Sequence, residues 1–134
     1  MEEYTGVFKA LSDATRLRIV WLLCRANTDL CVCEIMDSLD VSQYNVSRHL
    51  RILKSEGLVQ DRKEGKWVFY FLSQQPDRFQ KQVLQAVRAI PEELLSLEYE
   101  RLMKRISLRE DGRCVVGCES DEWQKLAEQG ATRG

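Results

Sequence analysis

The chain has 134 residues with a formal net charge of −1, and its hydrophobic fraction of 44% is enough to form a core. This length fits one compact domain and leaves no room for a second catalytic domain. The sequence has no apolar run of about 18 residues and no charged-then-apolar amino terminus, so we expect neither a membrane span nor a secretory signal, and a cytoplasmic protein. It also has no Ser-His-Asp set, paired-acid signature, phosphate-binding loop or nucleotide fingerprint, which argues against an enzyme.

The first part of the chain is predicted to be helical. Apolar residues at helical spacing indicate a short helix that begins with residues 7–11 and a second helix over residues 14–26. A third, short helix is expected over residues 30–39 and a fourth over residues 43–56. Because a tight turn joins the third and fourth helices and the fourth is polar on its outer face, the pair is typical of a helix-turn-helix.

After Gly57 the pattern changes from helical to extended. Residues 58–60 and 67–72 are rich in β-branched and aromatic side chains, and Gly65 lies in the basic segment between them. This pattern predicts a β-hairpin with a basic tip, and hence a mainly α winged helix-turn-helix with a small β-hairpin. Residues 42–66 carry six basic against three acidic side chains, a local charge of +3, as expected where one surface meets phosphates.

Two more amphipathic patterns follow, over residues 79–90 and 95–106. The core of so short a chain is small, so these apolar stripes are expected to pack against a second copy. From residue 109 to the end the chain is charged and contains several glycines. We therefore predict a DNA-binding and dimerisation domain over residues 1–108. The remainder, residues 109–134, is predicted to be a flexible, cysteine-containing tail with a short helix near residues 123–127.

Cys31 and Cys33 lie just ahead of the predicted helix-turn-helix. The chain has five cysteines, and an odd number without a secretory signal favours reduced thiols or metal ligands over a disulfide framework. A thiolate is both a soft metal ligand and a redox centre. Residues at i and i+2 of a regular helix point about 200° apart, so both thiolates could hold one ion only if the first helical turn were distorted.

Four segments together resemble the ArsR/SmtB family of metalloregulatory repressors. They are Ala-Leu-Ser-Asp-Ala-Thr-Arg-Leu-Arg-Ile at 10–19, Leu-Cys-Val-Cys-Glu at 30–34, the Ser-Gln…Ser-Arg-His-Leu…Gly-Leu-Val pattern within 42–59, and Asp-Arg-Lys-Glu-Gly-Lys-Trp-Val-Phe-Tyr at 61–70. The resemblance covers about residues 4–90 and is closest to the arsenite-responsive branch. It implies a homodimeric repressor that binds an inverted-repeat operator and dissociates when arsenite or antimonite binds its cysteine thiolates.

The resemblance leaves the third arsenic ligand open. Trivalent arsenic is expected to favour three sulfur donors. Arsenite repressors with this Cys-Val-Cys element have a further cysteine three residues later, where this chain has Met36. Cys24 is one candidate, although its place on an apolar stripe favours a core role. Cys114 and Cys118 are the other candidates. Their segment is either helical or a flexible loop, and the two cysteines either join the site of Cys31 and Cys33 or form a separate thiol pair.

Other inducers remain open at this point. Four thiolates could bind cadmium or lead, which makes a cadmium- or lead-responsive repressor an alternative. A thiol redox or persulfide sensor is another alternative, in which two cysteines form a disulfide. A histidine-rich zinc or nickel site is disfavoured, because His49 is the only histidine of the chain.

The predicted DNA interface has two parts. Polar side chains of the fourth helix can reach base edges or phosphates, although His49 could instead pack under the wing. Basic side chains of the wing are expected on the DNA backbone. The predicted contacts are Ser42, Gln43, Tyr44, Asn45, Ser47, Arg48, His49 and Arg51 on the helix, and Arg62, Lys63 and Lys66 on the wing.

Overall fold

Seven α-helices and one three-stranded antiparallel sheet make up residues 1–131, the part of the chain that the computed structural model describes. In chain order they are α1 (Glu2–Leu11), α2 (Ala14–Ala26), β1 (Leu30–Cys31), α3 (Val32–Leu39), α4 (Gln43–Ser55), β2 (Val59–Glu64), β3 (Trp67–Leu72), α5 (Arg78–Arg88), α6 (Ser96–Ile106) and α7 (Asp121–Ala131), with a 3-10 helix (Glu92–Leu95) before α6. No helix within this range is long and apolar enough to cross a membrane.

Local capping explains where the helices of the helix-turn-helix begin and end. Asp40 ends α3 in the left-handed conformation, with φ of 57°. Ser42 then begins α4, and its Oγ accepts the Asn45 N–H at 3.3 Å. Gly57 follows α4 with φ of +75°, a conformation that glycine adopts without strain. The predicted helix-turn-helix of α3 and α4 is therefore confirmed.

The predicted hairpin is confirmed, and the sheet has a third strand that the sequence did not indicate. β2 and β3 pair from Val59–Leu72 to Glu64–Trp67 and form the wing. β1 pairs with the other edge of β3, and Cys31 lies opposite Phe69. The expected helix over residues 30–39 is therefore wrong at its start. Its first two residues are extended, and the helix begins only at Val32 because the Glu34 side chain accepts the Cys31 N–H in a capping box.

The main core lies between α2, α3, α4 and α5, with contributions from α6. Helix α2 is its centre and buries five consecutive residues between Ile19 and Leu23. The stripe of α5 is buried at Val83, Leu84 and Val87. Fully buried side chains from the other elements include Leu30, Ile35, Leu50, Leu53 and Leu102. This core fixes the relative positions of the wing, α3 and α4.

The structure corrects the prediction of a flexible tail for the described residues 109–131, which fold back onto α3 and α6. Arg105, at 0% exposure, binds Asp37 of α3 at 2.8 Å and the Val116 carbonyl at 2.5 Å. Trp123 is buried, and α7 extends over 121–131 rather than only near 123–127. Charge and glycine content suggested mobility, but Arg109, the first residue of this segment, is paired with the buried Glu34. Residues 132–134 of the predicted tail lie outside the described residues.

Candidate thiol site and nucleic-acid interface

Cys31 and Cys114 form a buried pair of sulfur atoms. Their Sγ atoms lie 3.0 Å apart, and the residues are 1% and 3% exposed. Phe69 of β3 packs with them, and the half-buried Cys33 and Trp67 adjoin the group. The structure thus brings a cysteine of the predicted tail to the start of α3.

Cys33 and Cys118 are joined by a disulfide, with their Cα atoms 4.5 Å apart. Both are half-buried. The segment 113–119 consists of turns and extended residues and is not helical. Of the two alternatives predicted for this segment, a helix or a loop, the structure therefore has the loop. Four cysteines, two at the start of α3 and two after α6, therefore meet in one region.

Cys24 lies elsewhere. It is half-buried on α2 and packs against the main core. Burial raises the pKa of its thiol, while the nearby Arg88 and Arg25 oppose that shift. Its position matches the core role that its apolar spacing favoured, and it does not join the group formed by Cys31, Cys114 and Glu34, whose ligand atoms all lie within 4.8 Å.

The backbone at Cys31 removes the geometric objection to joint binding by Cys31 and Cys33. Cys31 is extended, with φ −80° and ψ 162°, and precedes the helix. The angle of about 200° between residues i and i+2 applies only inside a regular helix. Cys31 therefore belongs to a strand edge and Cys33 to the first turn of α3.

Glu34 and Arg109 form an ion pair against the thiol group. Arg109 donates from Nε and Nη2 to the two Glu34 carboxylate oxygens at 2.6 and 2.7 Å. Its Nη2 also donates to the Asp29 carbonyl at 2.6 Å, and the Cys31 N–H donates to Glu34 at 3.0 Å. Because Glu34 is already bound on both oxygens, its role is to position the strand that carries Cys31 rather than to hold an ion.

Hydrogen bonding between the two buried sulfurs shifts the pKa values of their thiols in opposite directions. The hydrogen bond to Cys114, followed by burial and the Glu34 charge, raises the pKa of Cys31 far above its usual range. The same hydrogen bond lowers the pKa of Cys114, although burial opposes it. Cys114 therefore loses its proton more readily than Cys31, and a thiolate is the form that bonds a soft ion.

Sequence reasoning missed the residues that hold the tail in place. Glu34 and Asp37 of α3, and Arg105 and Arg109 after them in the chain, form two buried ion pairs at 2.6 and 2.8 Å. A signal for them was present in the spacing. Glu34 and Asp37 recur at i, i+3 on a short apolar helix, so their two carboxylates can face one way.

Most of the predicted DNA-contact residues lie on the protein surface. On α4, Ser47 is half-buried, and the exposed members are Ser42, Gln43, Tyr44, Asn45, Arg48 and Arg51. On the wing, Arg62, Lys63 and Lys66 are exposed. Arg62 is already paired, with the Asp29 carboxylate and with Glu64 at 2.9 Å. Asp29 therefore has two partners: its carbonyl accepts a hydrogen bond from Arg109, and its carboxylate pairs with Arg62 of the wing.

His49 is an exception to this set. It is 6% exposed, and its Nδ1 lies 3.1 Å from Arg16 Nη1 and 4.0 Å from Asp13, at the start of α2. The assignment of His49 to a DNA contact does not fit this position, because a buried ring cannot reach a base or a phosphate. It joins α4 to α2.

An apolar groove runs between α1, α2 and α5. It has a volume of about 400 Å³. Its walls include Phe8, Leu11, Leu17, Phe79 and Val87. Phe8 is 59% exposed on its rim. A groove of this composition on a monomer is typical of a protein–protein interface.

The family model for bacterial regulatory proteins of the arsR family matches residues 13–61. The arsenical resistance operon repressor of Escherichia coli strain K12 is 54% identical over 67 residues, 50% of this chain and 56% of that protein. The arsenic resistance transcriptional regulator ArsR1 of Pseudomonas putida is 40% identical over 96 residues, 72% of this chain and 74% of that protein. A homologue of the cadmium resistance regulatory protein CadC from Staphylococcus aureus is 47% identical over 66 residues, 49% of this chain and 54% of that protein.

Solved structures with the same fold are also regulators. Reduced HlyU from Vibrio cholerae has 32% sequence identity and a TM-score of 0.56, over 69% of this chain and 87% of that chain. The homodimeric winged helix-turn-helix DNA-binding domain Mb0332 from Mycobacterium bovis, a possible ArsR-family regulator, has 27% identity and a TM-score of 0.56, over 69% of this chain and 81% of that chain.

Proposed function

The chain belongs to the arsR family of bacterial regulatory proteins, and on that basis we propose that it is an arsenite-responsive repressor that binds operator DNA as a homodimer. As a DNA-binding transcriptional regulator of this family it is not an enzyme. Trivalent arsenic, or antimony in its place, is the inducer that releases it from DNA.

The contact between Cys31 and Cys114 is the observation that carries this proposal. Their Sγ atoms are 3.0 Å apart, and Cys33 and Cys118 are bonded beside them. The loop after α6 thereby supplies the third thiolate that α3 lacks, since Met36 stands where a further cysteine would be needed. Arsenic bonds to sulfur are the soft-donor chemistry that such a site offers.

Arsenite binding requires the reduced protein. A cellular dithiol of the thioredoxin class would transfer two electrons and two protons to the Cys33–Cys118 bond and leave two thiols. The thiols of Cys31, Cys33 and Cys114 then each replace one hydroxyl of arsenous acid. Three water molecules leave, three arsenic–sulfur bonds form, and arsenic remains trivalent.

Dimerisation is supported by the apolar groove between α1, α2 and α5. Its volume of about 400 Å³ and its exposed Phe8 would be filled by the matching face of a second copy. A two-fold dimer presents two α4 helices to two half-sites about one helical turn apart, which fits an inverted repeat.

DNA reading is assigned to α4 and the wing. The exposed Gln43, Asn45 and Arg48 carry the amide and guanidinium groups that bind base edges in pairs of hydrogen bonds. Arg62, Lys63 and Lys66 are suited to phosphates, which position the protein without reading sequence.

The test is a DNA-binding titration with a matched cysteine control. A labelled duplex is first selected from a random library with reduced protein. The protein is reduced with a phosphine, which is then removed under argon, because a dithiol reductant would itself bind arsenite. Arsenite should weaken DNA binding about 100-fold in the wild type and in Cys24→Ser, a coupling of about 2.7 kcal/mol. In Cys31→Ser and Cys114→Ser the release should be lost while DNA binding is retained. Full release in Cys114→Ser would refute the ligand assignment.

Cadmium or lead sensing is a second candidate, favoured by the presence of four cysteines in one region. Four thiolates suit these larger soft ions. The same titration separates the two candidates. If cadmium releases the protein from DNA at concentrations where arsenite has no effect, cadmium and not arsenite is the inducer.

The Cys33–Cys118 disulfide also favours a thiol redox sensor. Here an oxidant such as glutathione disulfide would take two electrons and two protons from the thiols. If oxidation alone releases DNA and arsenite does not, the redox candidate is correct and the metalloid proposal is wrong.

A further inference from the structure

Residues after Cys118 lie beside the DNA-reading end of α4. Glu119 and Trp123 line one wall of a cavity of about 280 Å³, and Val41 and Ser42 line the other. Ser42 caps α4, whose first residues are the proposed base contacts. The C-terminal segment is therefore a direct neighbour of the surface that must meet DNA.

This neighbouring segment is acidic. We call residues 119–122 the acidic segment, because Glu119, Asp121 and Glu122 are the only charged residues between Arg113 and Lys125. All three carboxylates are on exposed residues, and Asp40 on the facing turn is also exposed. Double-stranded DNA carries one negative charge per about 1.7 Å of its axis, so carboxylates beside the reading helix oppose its approach.

The acidic segment is held in place by links to α3. Cys118, bonded to Cys33, directly precedes it. The Glu119 N–H donates to the Asp37 carboxylate at 3.3 Å, and Asp37 is itself paired with the buried Arg105 at 2.8 Å. Trp123, just after the segment, is buried. One of these links, the Cys33–Cys118 bond, therefore connects the acidic segment to the cysteine region.

We propose that the acidic segment is the inhibitory element of this repressor, and that bonds between the tail cysteines and the cysteines at the start of α3, Cys31 and Cys33, hold it against the DNA-reading end of α4. The proposal rests on the proposed function for the identity of the inducer. In the reduced, ligand-free protein only non-covalent contacts hold the segment, so DNA can displace it. Arsenic bonded to Cys31, Cys33 and Cys114 ties the tail to α3, and displacement then becomes costly.

By thermodynamic linkage the effect is reciprocal. If the tied segment weakens DNA binding by a given factor, bound DNA must weaken inducer binding by the same factor. The inducer need not distort α4 at all, because it acts through charge placed beside the helix. The release should therefore depend on salt, since screening reduces repulsion between exposed charges.

The test removes the charges and leaves the cysteines. The triple variant Glu119→Gln/Asp121→Asn/Glu122→Gln keeps every thiol. Its control, Glu2→Gln/Glu3→Gln/Glu128→Gln, removes three exposed carboxylates elsewhere, and Glu3 lies in a cavity with Ser55 at the opposite end of α4. Arsenite binding is followed by the ultraviolet absorption of arsenic–thiolate bonds, and DNA binding by fluorescence anisotropy.

We expect arsenite to bind both variants as it binds the wild type. Release from DNA should fall from about 100-fold to about tenfold or less in the triple variant, and stay near 100-fold in the control. The triple variant should also lose most of the salt dependence of release. Full release with arsenite bound would overturn the inhibitory role of the acidic segment and leave the proposed function intact.

If arsenite fails to bind or to release the wild type, the proposed function fails instead. The inference is then decided by comparing the reduced protein with protein oxidised by glutathione disulfide, which ties the same segment through Cys33 and Cys118. Oxidation should weaken DNA binding in the wild type and the control more than in the triple variant. Equal weakening, or none in the wild type, would overturn it.

Discussion

Replacement of Arg109 by methionine tests whether residues 109–131 stay docked when the protein is reduced. Arg109 donates to Glu34 at 2.6 and 2.7 Å and to the Asp29 carbonyl at 2.6 Å. Glu34 is at 0% exposure, so Arg109→Met leaves a buried carboxylate with only the Cys31 N–H as its hydrogen-bond partner. Loss of one partner of a buried ion pair costs about 3–5 kcal/mol.

A double-mutant cycle separates the pair from the packing of the Arg109 stem. In Glu34→Gln the amide oxygen can still accept the Cys31 N–H, and Arg109 is less buried than its partner, so we expect a smaller loss of about 1–3 kcal/mol. The double variant Glu34→Gln/Arg109→Met should lose less than the sum of the single changes, because no buried charge remains unpaired.

The assay is urea unfolding of the phosphine-reduced protein, followed by tryptophan fluorescence at one fixed protein concentration. The concentration is fixed because the stability of a dimer depends on it. A loss of less than about 1 kcal/mol in Arg109→Met would mean that Glu34 is solvated in the reduced protein. The docked position of residues 109–131 would then hold only for the disulfide form.

Three further outcomes are expected. Asp29→Asn removes the charge of one of the two carboxylates that pair with Arg62, so DNA affinity should rise by up to about threefold and the salt slope should steepen by up to about one; an unchanged slope contradicts this. Burial lowers the pKa of His49, so the unfolded state gains protons first and stability should fall as the pH drops below 6.5. That loss should be absent in His49→Gln unfolding curves. Cys24→Ser should lower the free energy of unfolding in urea by about 1 kcal/mol. It should keep full arsenite-induced release from DNA, whereas replacement of a cysteine that binds arsenic should abolish release.

The helix-turn-helix and the wing could be predicted from the sequence because their signals are local. The apolar spacing of α4, the Ser42 cap and Gly57 all act within one or two turns of the chain. The hairpin likewise follows from the β-branched and aromatic residues on either side of Gly65. Each of these features is decided by residues close to one another in sequence, which is where periodicity carries information.

The rest of the site depends on contacts distant in sequence. Strand β1 has only two residues, too few for an alternating pattern to show in the sequence. It forms by pairing with the edge of β3. The docking of the tail rests on Arg109, which is 75 residues from Glu34, and on Arg105, 68 residues from Asp37. Composition placed Arg109 in a charged, flexible tail, whereas the buried Glu34 holds it against α3.

The position of β1 explains how one small site could act on both parts of the DNA surface. Cys31 lies in a strand paired with β3 of the wing, and Asp29, two residues earlier, holds Arg62 through its carboxylate and Arg109 through its carbonyl. Cys118 leads directly into the acidic segment beside α4. In the proposed mechanism, a bond formed between the start of α3 and the tail need not strain any helix. In that mechanism the bond fixes two groups that oppose phosphate binding: the acidic segment, which repels phosphates, and Asp29, which pairs with Arg62. If both contribute, Asp29→Asn combined with the neutralised acidic segment should abolish release, while arsenite still binds its thiolates.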